Sequence, residues 1–301
     1  MAEIREIHEG ELERWVAATG AATHEADTVE GYLDWKKQAR ETIWLLASNG
    51  RDVGTAIGIG GWHSPAGVAR AEVAVIPAAR GAGVGTGLLA ALSAWAQGAG
   101  HVELMGSVKE NDDASLSWAD RRGFVEVGRN SLLALALNAI DSPAVEPPRG
   151  IEIVSWAERP DAAAGMYEVA CEAYPDVPGE EEAEVAPFEE WLAMDLQGAG
   201  DRPEATFVAL AGDEVVAYAK LSLSLARPTV AMHDMTGVKR AWRGRGIAGA
   251  LKSAEIAWAK ENGYERLETQ NEERNEPIRR LNQRHGYVVE PGSVTVRGPI
   301  R

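Results

Sequence analysis

Two short stretches rich in glycine and arginine, 163 residues apart, are the parts of this sequence best suited to hold a charged ligand. They are Arg243-Gly244-Arg245-Gly246-Ile247-Ala248 and Arg80-Gly81-Ala82-Gly83-Val84-Gly85. Each follows a stretch of strand-like composition and precedes one whose apolar residues recur at helical spacing. A turn that leads into a helix presents unpaired backbone N–H groups at the positive end of the helix dipole. Both stretches therefore predict a seat for a phosphate or pyrophosphate.

Three interpretations compete for a single turn of this kind. The spacing Gly244-x-Gly246-x-x-Gly249 fits a dinucleotide-binding fingerprint, although that string is unspecific and here lies deep in the chain. A phosphate loop needs Gly-Lys-Ser/Thr at its end, and this turn continues differently. The third interpretation is an ordinary strand-to-helix connection that binds nothing.

The residues around the two turns repeat at the same spacing. Val75 corresponds to Val238, and Gly123-Phe124 corresponds to Gly286-Tyr287. One offset maintained over that distance indicates a duplicated domain rather than two chance glycine loops. The alternation of strand-like and helix-like stretches predicts the order β-α-α-β-β-β-α-β-α-β for a copy.

The length of 301 residues is comfortable for two domains, each with its own core. Residues 141–150 are dense in proline and polar side chains, which makes them the best candidate for a linker. We therefore predict an N-terminal domain of residues 1–145 and a C-terminal domain of residues 150–301.

Composition excludes several classes of partner. The net charge of −16 argues against nucleic acid, because no basic stripe exists to neutralise phosphates. No stretch approaches the ~18 apolar residues of a membrane span, so we expect no membrane association. Cys171 is the single cysteine, which favours a reducing cytoplasm and is expected in the core. We predict no metal site. A homodimer is possible from the sequence.

From Asp234 to Tyr287 the second copy resembles the acetyl-CoA site of the GNAT superfamily of N-acetyltransferases. The resemblance rests on Val238, the Arg-Gly-x-Gly-Ile-Ala turn, and the later Asn275, Leu281 and Gly286-Tyr287. The duplication looks most like the tandem acetyltransferases of actinobacteria, of which mycothiol synthase is one functional example. The implied fold class is α/β (α+β), with two tandem GNAT folds, each a mixed, mostly antiparallel sheet flanked by helices.

The resemblance also implies an activity and its binding residues. It implies an acyltransferase that uses acetyl-CoA (CoA) and acetylates the amine of a small molecule by direct attack in a ternary complex. The implied cofactor-binding residues are Val238, Arg243, Gly244, Arg245, Gly246, Ile247, Ala248 and Asn275 in the second copy, and Val75, Arg80, Gly81, Gly83, Val84 and Gly85 in the first. Acetyl transfer further requires a base for the ammonium and stabilisation of the departing thiolate.

The strand that ends at Val238 carries the candidates for that base. Strand alternation places Asp234 on the same face as Val238 and His233 on the opposite face. Bases in resembling families commonly lie four or six residues before this position, so Asp234 is the first candidate, acting directly or through a water. The alternative is a strand-end carboxylate that only caps a turn. His233 is the reserve, and a β-bulge here would reverse the ranking.

Both copies depart from the family in their polar residues. Asn282 stands where many GNAT enzymes carry a tyrosine taken as the general acid. An amide cannot act as an acid, although it can hydrogen-bond sulfur or a bound water. In the first copy, Ala71 and Ala69 lie four and six residues before Val75, so we expect that domain to be structural or regulatory.

The acceptor is the least determined part of the prediction. The segment from Asp176 to Glu190 contains seven acidic residues and no lysine or arginine. It either attracts a cationic amine or is a solvated acidic face. The favoured function is an acetyl-CoA-dependent N-acetyltransferase acting on a small metabolite or antibiotic. The alternatives are a catalytically idle acyl-CoA-binding or sensing protein and a mycothiol synthase-like enzyme.

Overall fold

The computed structural model describes residues 2–61, 64–177 and 185–300 of the chain. It divides into two compact units, one of Met1–Arg129 with Ser293–Arg301 and one of Asn130–Gly292. Each unit is a mixed, mostly antiparallel sheet flanked by helices, which confirms the predicted fold class.

The first unit has its elements in the predicted order. They are β1 (Glu3–Glu6), α1 (Leu12–Thr23), α2 (Val29–Gln38), β2 (Glu41–Ser48), β3 (Asp52–Gly60), β4 (Val68–Val75), α3 (Val84–Gly98), β5 (Glu103–Lys109) and α4 (Asp113–Asp120). Strands β1 to β5 are neighbours in chain order, and only β4 and β5 run parallel. The last strand of this sheet comes from the end of the chain, since Ser293–Pro299 pairs antiparallel with β5.

The second unit repeats the arrangement. Its elements are β6 (Val125–Ala136), which begins in the first unit, β7 (Glu152–Ser155), α5 (Ala163–Ala173), α6 (Phe188–Trp191), β8 (Asp201–Ala211), β9 (Glu214–Leu223), β10 (Val230–Val238), α7 (Ile247–Glu261), β11 (Arg266–Glu272), α8 (Glu276–Arg284) and β12 (Val288–Pro299), which ends in the first unit. The sheet order is β7-β8-β9-β10-β11-β6, and only β10 and β11 are parallel. Asn130–Ala136 closes this sheet by pairing with β11.

Helices cover both faces of the second sheet, so residues 205–210 of β8 and 215–221 of β9 are buried. Alternate residues serve opposite cores. Val208 and Tyr218 pack with α5, whereas Phe207 and Ala217 pack with Ile247 and its neighbours on α7. These two apolar layers fix the position of α7 against the sheet.

The parallel pair in each sheet is joined over only three residues. In the second unit Val230–Met232 pairs with Arg266–Glu268, and in the first Val68–Arg70 pairs with Glu103–Met105. Strand β10 continues to Val238 without a further pair to β11 among the described residues. Each sheet therefore opens between its two parallel strands, directly before a glycine turn.

Two sequence predictions outside the sheet can be checked. No helix in the described part of the chain is long and apolar enough to cross a membrane. Cys171 is exposed, so the expectation that it fills the core was wrong. The reason is its position on α5, whose buried side consists of Met166, Val169, Ala170 and Ala173.

Candidate active site

The glycine turn of the second unit leads directly into α7. A single 3₁₀ turn, Arg240–Trp242, precedes it, and the helix begins at Ile247. Gly244 and Gly246 have φ angles of 75° and 86°, in the left-handed region where glycine is favoured. An ideal Cβ on Gly244 would meet no described atom within 4 Å. The turn therefore presents open backbone beside the free N–H groups of a helix start, which suits an anionic ligand.

Arg243 joins this turn to the end of β10. Its Nε donates to the carbonyl oxygen of Val238 at 2.9 Å, and its Nη1 donates to Asp176 at 2.6 Å. Arg240 contributes two further hydrogen bonds of 2.9 Å to the same carboxylate. Hydrogen bonds from Arg240 and Arg243 lower the pKa of Asp176 to about 2. Two of the cations beside the turn are thus already paired.

The first unit builds the same turn from its own residues. Arg80 Nε donates to the carbonyl oxygen of Val75 at 3.1 Å. Gly81 and Gly83 have φ angles of 77° and 82°. The remaining predicted residues of the two turns, Val84 and Gly85 in α3 and Ile247 and Ala248 in α7, form the first turns of their helices. The duplication read from the sequence therefore extends to backbone conformation.

Two other predicted residues lie at the edges of the site. Arg245 is exposed, and its guanidinium lies over the ring of Trp242, 4.6 Å from the ring centre. Asn275 is the residue immediately before α8 and makes no capping hydrogen bond with its side chain. Its counterpart Asp112 does cap α4, by accepting from the backbone N–H of Ser115 at 3.0 Å.

A β-bulge interrupts β10 at the residue predicted to be the base. His233 pairs with Leu221, and the next pair joins Met235 to Lys220, so that Asp234 is the extra residue. An inserted residue reverses the alternation of side chains on its two sides. The prediction that Asp234 shares the face of the strand end was therefore wrong.

The bulge places the two candidate bases in different surroundings. His233 lies with Val238 on the α7 side and is buried. Asp234 extends to the opposite side, where half of its side chain is exposed and Oδ2 lies 2.8 Å from Nζ of Lys220. By alternation alone the bulge would reverse the ranking of the two candidates, because it leaves His233 on the face of the strand end. Exposure has the opposite effect, since His233 is buried and Asp234 is half exposed.

Lys220 is a buried cation that the sequence analysis missed. Its side chain is 2% exposed, and Nζ lies 3.0 Å from Oδ1 of Asp201 and also donates to the carbonyl oxygen of Asp195. Burial opposes its charge, but the carboxylates of Asp234, Asp195 and Asp201 outweigh burial and raise its pKa. A lysine in the otherwise apolar run of β9 was the available signal.

Asp195 lies beside this cation in a π-helix, Leu192–Leu196, that continues α6. Its carboxylate accepts hydrogen bonds from Tyr174 at 2.5 Å and from Tyr218 at 3.1 Å. Burial raises its pKa. Short π-helices of this kind often occur at functional sites. The side chains of Tyr174, Asp195, Tyr218 and Lys220 thus form a polar cluster, which contacts Asp234 through Lys220.

Asn282 occupies a fully buried position on α8. Its Nδ2 donates to Oδ1 of Asn271 on β11 at 2.8 Å, and its own Oδ1 has no hydrogen-bond partner in the described structure. An amide in this place supplies a donor and an acceptor but no acidic proton.

The first unit differs at the strand that corresponds to β10. Strands β3 and β4 keep one register from Gly54 opposite Val75 to Ile59 opposite Arg70. At the sequence offset of 163 Ala71 corresponds to Asp234, but it is paired in the regular register, opposite Gly58. A cavity of about 180 Å³ borders this strand and is lined by Trp35, Ile57, Ile59, Arg70, Ala71 and Glu72.

The architecture is that of a duplicated α/β protein with an opened parallel strand pair and a glycine turn in each unit. The sequence model of the acetyltransferase (GNAT) family matches residues 2–124 and 163–287, so the chain belongs to this family. This is the family that the sequence was predicted to resemble. Its enzyme class, N-acetyltransferase, is also the predicted one. No curated protein sequence matches the chain significantly.

Solved structures agree in fold. A GCN5-related N-acetyltransferase from Sphaerobacter thermophilus is 23% identical with a TM-score of 0.77, covering 100% of this chain and 96% of that one. A tandem GNAT protein from the clavulanic acid biosynthesis pathway is 19% identical with a TM-score of 0.78, covering 100% and 99%. A GNAT-family acetyltransferase from Colwellia psychrerythraea is 13% identical with a TM-score of 0.66, covering 98% and 99%. At these identities the likeness concerns the fold.

Proposed function

We propose that the second unit transfers the acetyl group of acetyl-CoA to the amine of a small metabolite or antibiotic, by direct attack in a ternary complex. The observation that supports this proposal most is the position of Asp234 in the sheet. Pairing between β10 and β11 ends at Met232, so Asp234 stands two residues beyond, where the strands part. The glycine turn follows on the same strand-to-helix connection.

The turn fits the anionic tail of the cofactor. Backbone N–H groups at the start of α7, open backbone at Gly244, and the exposed guanidinium of Arg245 form a donor set for a pyrophosphate. Val238 and Asn275 flank this set as further proposed contacts. When bound, acetyl-CoA supplies the thioester that the amine attacks.

Asp234 is the proposed base. Its half-exposed carboxylate can accept a proton from the incoming ammonium, directly or through a water, and the 2.8 Å contact with Lys220 orients it. His233 is less suited, because it is buried behind the strand and burial lowers its pKa to about 4. We propose that Asn282 hydrogen-bonds the sulfur or a bound water.

The proposed acceptor is a cationic amine. Beside the bulge, the carboxylates of Asp195, Asp201 and Asp234 all interact with the ammonium of Lys220, so among these four described side chains negative groups outnumber positive ones. Of the acidic segment, Glu180, Glu181, Glu182 and Glu184 lie outside the described residues. Asp176 is held by the turn arginines rather than left for an acceptor. Affinity for a cationic acceptor should therefore fall as salt rises, and affinity indifferent to salt contradicts this part of the proposal.

The first unit, whose Met1–Arg129 segment falls in the predicted domain of residues 1–145, is proposed to be structural or regulatory. Its strand β4 has alanine at position 71 and an unbroken register with β3. The catalytic role is assigned to the predicted domain of residues 150–301.

The test is release of CoA from acetyl-CoA across a panel of small amines. Asp234→Asn should lower kcat by roughly 10²–10⁴, the usual contribution of a general base, while CoA still binds. Glu72→Gln, a carboxylate change on β4 of the first unit, is the matched control and should leave kcat unchanged. A wild-type chain that binds acetyl-CoA but releases no CoA with any amine supports the idle acyl-CoA-binding alternative instead.

A further inference from the structure

A layer of ionisable side chains is buried between α7 and the second sheet. Lys252 and Glu255 on α7 are 1% and 0% exposed, and His233 on β10 faces them. Tyr287, immediately before β12, closes the layer and is also buried. Removing such groups from water is costly, and an apolar layer of the same volume is often as stable or more so. Packing alone does not explain these residues.

The first unit shows the apolar solution to the same packing problem. Residues in the corresponding helix and at the corresponding strand end are apolar and buried. At the offset of 163, Leu89 of the first unit corresponds to Lys252, Leu92 to Glu255 and Phe124 to Tyr287. In that unit the strand presents Ala69 and Ala71 to this layer, and Ala71 has the register position of His233. The fold therefore forms without the polar layer.

The polar side chains of the second unit form a chain through His233. Its Nδ1 lies 3.0 Å from Oε2 of Glu255, and its Nε2 is hydrogen-bonded to the hydroxyl of Tyr287. Burial raises the pKa of Tyr287 well above its ordinary value, so the hydroxyl keeps its proton and can either donate to Nε2 or accept from it, according to the tautomer of the imidazole. His233 Nδ1 and both carboxylate oxygens of Glu255 are buried and have no hydrogen-bond partner of good geometry in the described structure, so the contact between the two residues is one of proximity and charge. Lys252 adds a cation 3.9 Å from Oε2 of Glu255.

This chain is compatible with only one register of β10. The bulge at Asp234 turns His233 toward α7, where Glu255 and Tyr287 are. The strand β4 of the first unit has no such bulge. Without one in β10, regular alternation would turn either His233 or the strand end at Val238 to the face opposite α7. Specific buried polar contacts are known to select one register among alternatives.

We infer that Glu255, His233 and Tyr287 hold β10 in its bulged register and thereby position Asp234, so that they are positioning residues for the acetyl transfer. The catalytic part of this inference rests on the proposed function. That these residues select the register of β10 is inferred from the geometry alone.

The decisive variant gives the second unit the apolar layer of the first: His233→Ala, Lys252→Leu, Glu255→Leu and Tyr287→Phe together. Its crystal structure should show β10 paired with β9 without the bulge. Its kcat should fall by about tenfold or more, since small misplacements of a catalytic group have such effects, while KM for acetyl-CoA stays within about threefold. A merely structural layer would leave both the register and kcat unchanged.

A milder variant covers the case in which the fourfold change does not fold. Tyr287→Phe removes one hydroxyl and keeps the ring, and Ser253→Ala on α7, which also removes one hydroxyl, is the control. Amide exchange over residues 230–238 should accelerate by about tenfold in the first variant and not in the second, because the bulged segment opens locally. Unchanged protection in Tyr287→Phe, or a bulge retained in the fourfold variant, overturns the inference. An inactive wild type would instead refute the proposed function and leave the register result standing.

Discussion

Asp176 accepts a 2.6 Å hydrogen bond from Arg243, the first residue of the glycine turn. The carboxylate is ionised over the whole neutral range, because Arg240 and Arg243 lower its pKa to about 2. It therefore competes with any anionic ligand for Arg243. Asp176→Asn should tighten CoA binding by about two- to fivefold, the scale of an exposed ion pair, as measured by calorimetry at low salt. Asp213→Asn, in the β8–β9 turn, is the control, and weaker binding in Asp176→Asn contradicts the competition.

The two glycine turns allow a matched test of which unit holds CoA. Gly244 and Gly81 have nearly the same positive φ, and a Cβ on either would meet open space. Alanine at either place should cost about 1–2 kcal/mol of folding free energy through left-handed strain alone. Only Gly244→Ala should also lower CoA affinity, by about tenfold, which corresponds to 1.4 kcal/mol. Loss of CoA binding in Gly81→Ala instead would assign the cofactor to the first unit.

His233 should make the free energy of unfolding depend on pH. Burial, with a further effect of Lys252, lowers its pKa to about 4, although Glu255 acts in the opposite sense; His285 and the protonated Tyr287 also face it. Between pH 4 and 6.5 the unfolded chain binds more protons at this residue than the folded one. Stability from this group is therefore complete above pH 6.5 and falls as pH decreases to 4, by roughly 3 kcal/mol.

The measurement is urea unfolding of wild type and His233→Gln from pH 7 to pH 4. The difference in pH slope isolates the buried imidazole, because glutamine does not titrate. His8→Gln, an exposed histidine of the first unit, is the control and should follow wild type. Identical slopes for wild type and His233→Gln would show that the imidazole keeps an ordinary pKa.

Lys220 should be a strong determinant of stability in the second unit. Lys220→Met leaves the 9% exposed Asp201 without its cation, so we expect a loss of about 3–5 kcal/mol in urea unfolding. Adding Asp201→Asn removes the unpaired charge and should recover a large part of that loss. A double-mutant cycle without coupling between the two positions contradicts a functioning ion pair.

Local sequence rules were sufficient for the duplication, the element order and the turns. The glycine and arginine pattern at 80–85 and 243–248 specifies a positive-φ turn into a helix, and this information lies within a few residues. The hairpin around Gly212 and the helical spacing of α7 are of the same kind. Such features need no knowledge of distant chain segments.

Tertiary structure alone decided the rest. In the inference drawn above, the bulge at Asp234 depends on contacts of His233 with Glu255 and Tyr287, which are 22 and 54 residues from it in the sequence. The cation behind Asp234 comes from another strand, and the closing strand of the first sheet comes from the end of the chain. Alternation gives the faces of a regular strand, but which register is bulged is determined by buried contacts between elements.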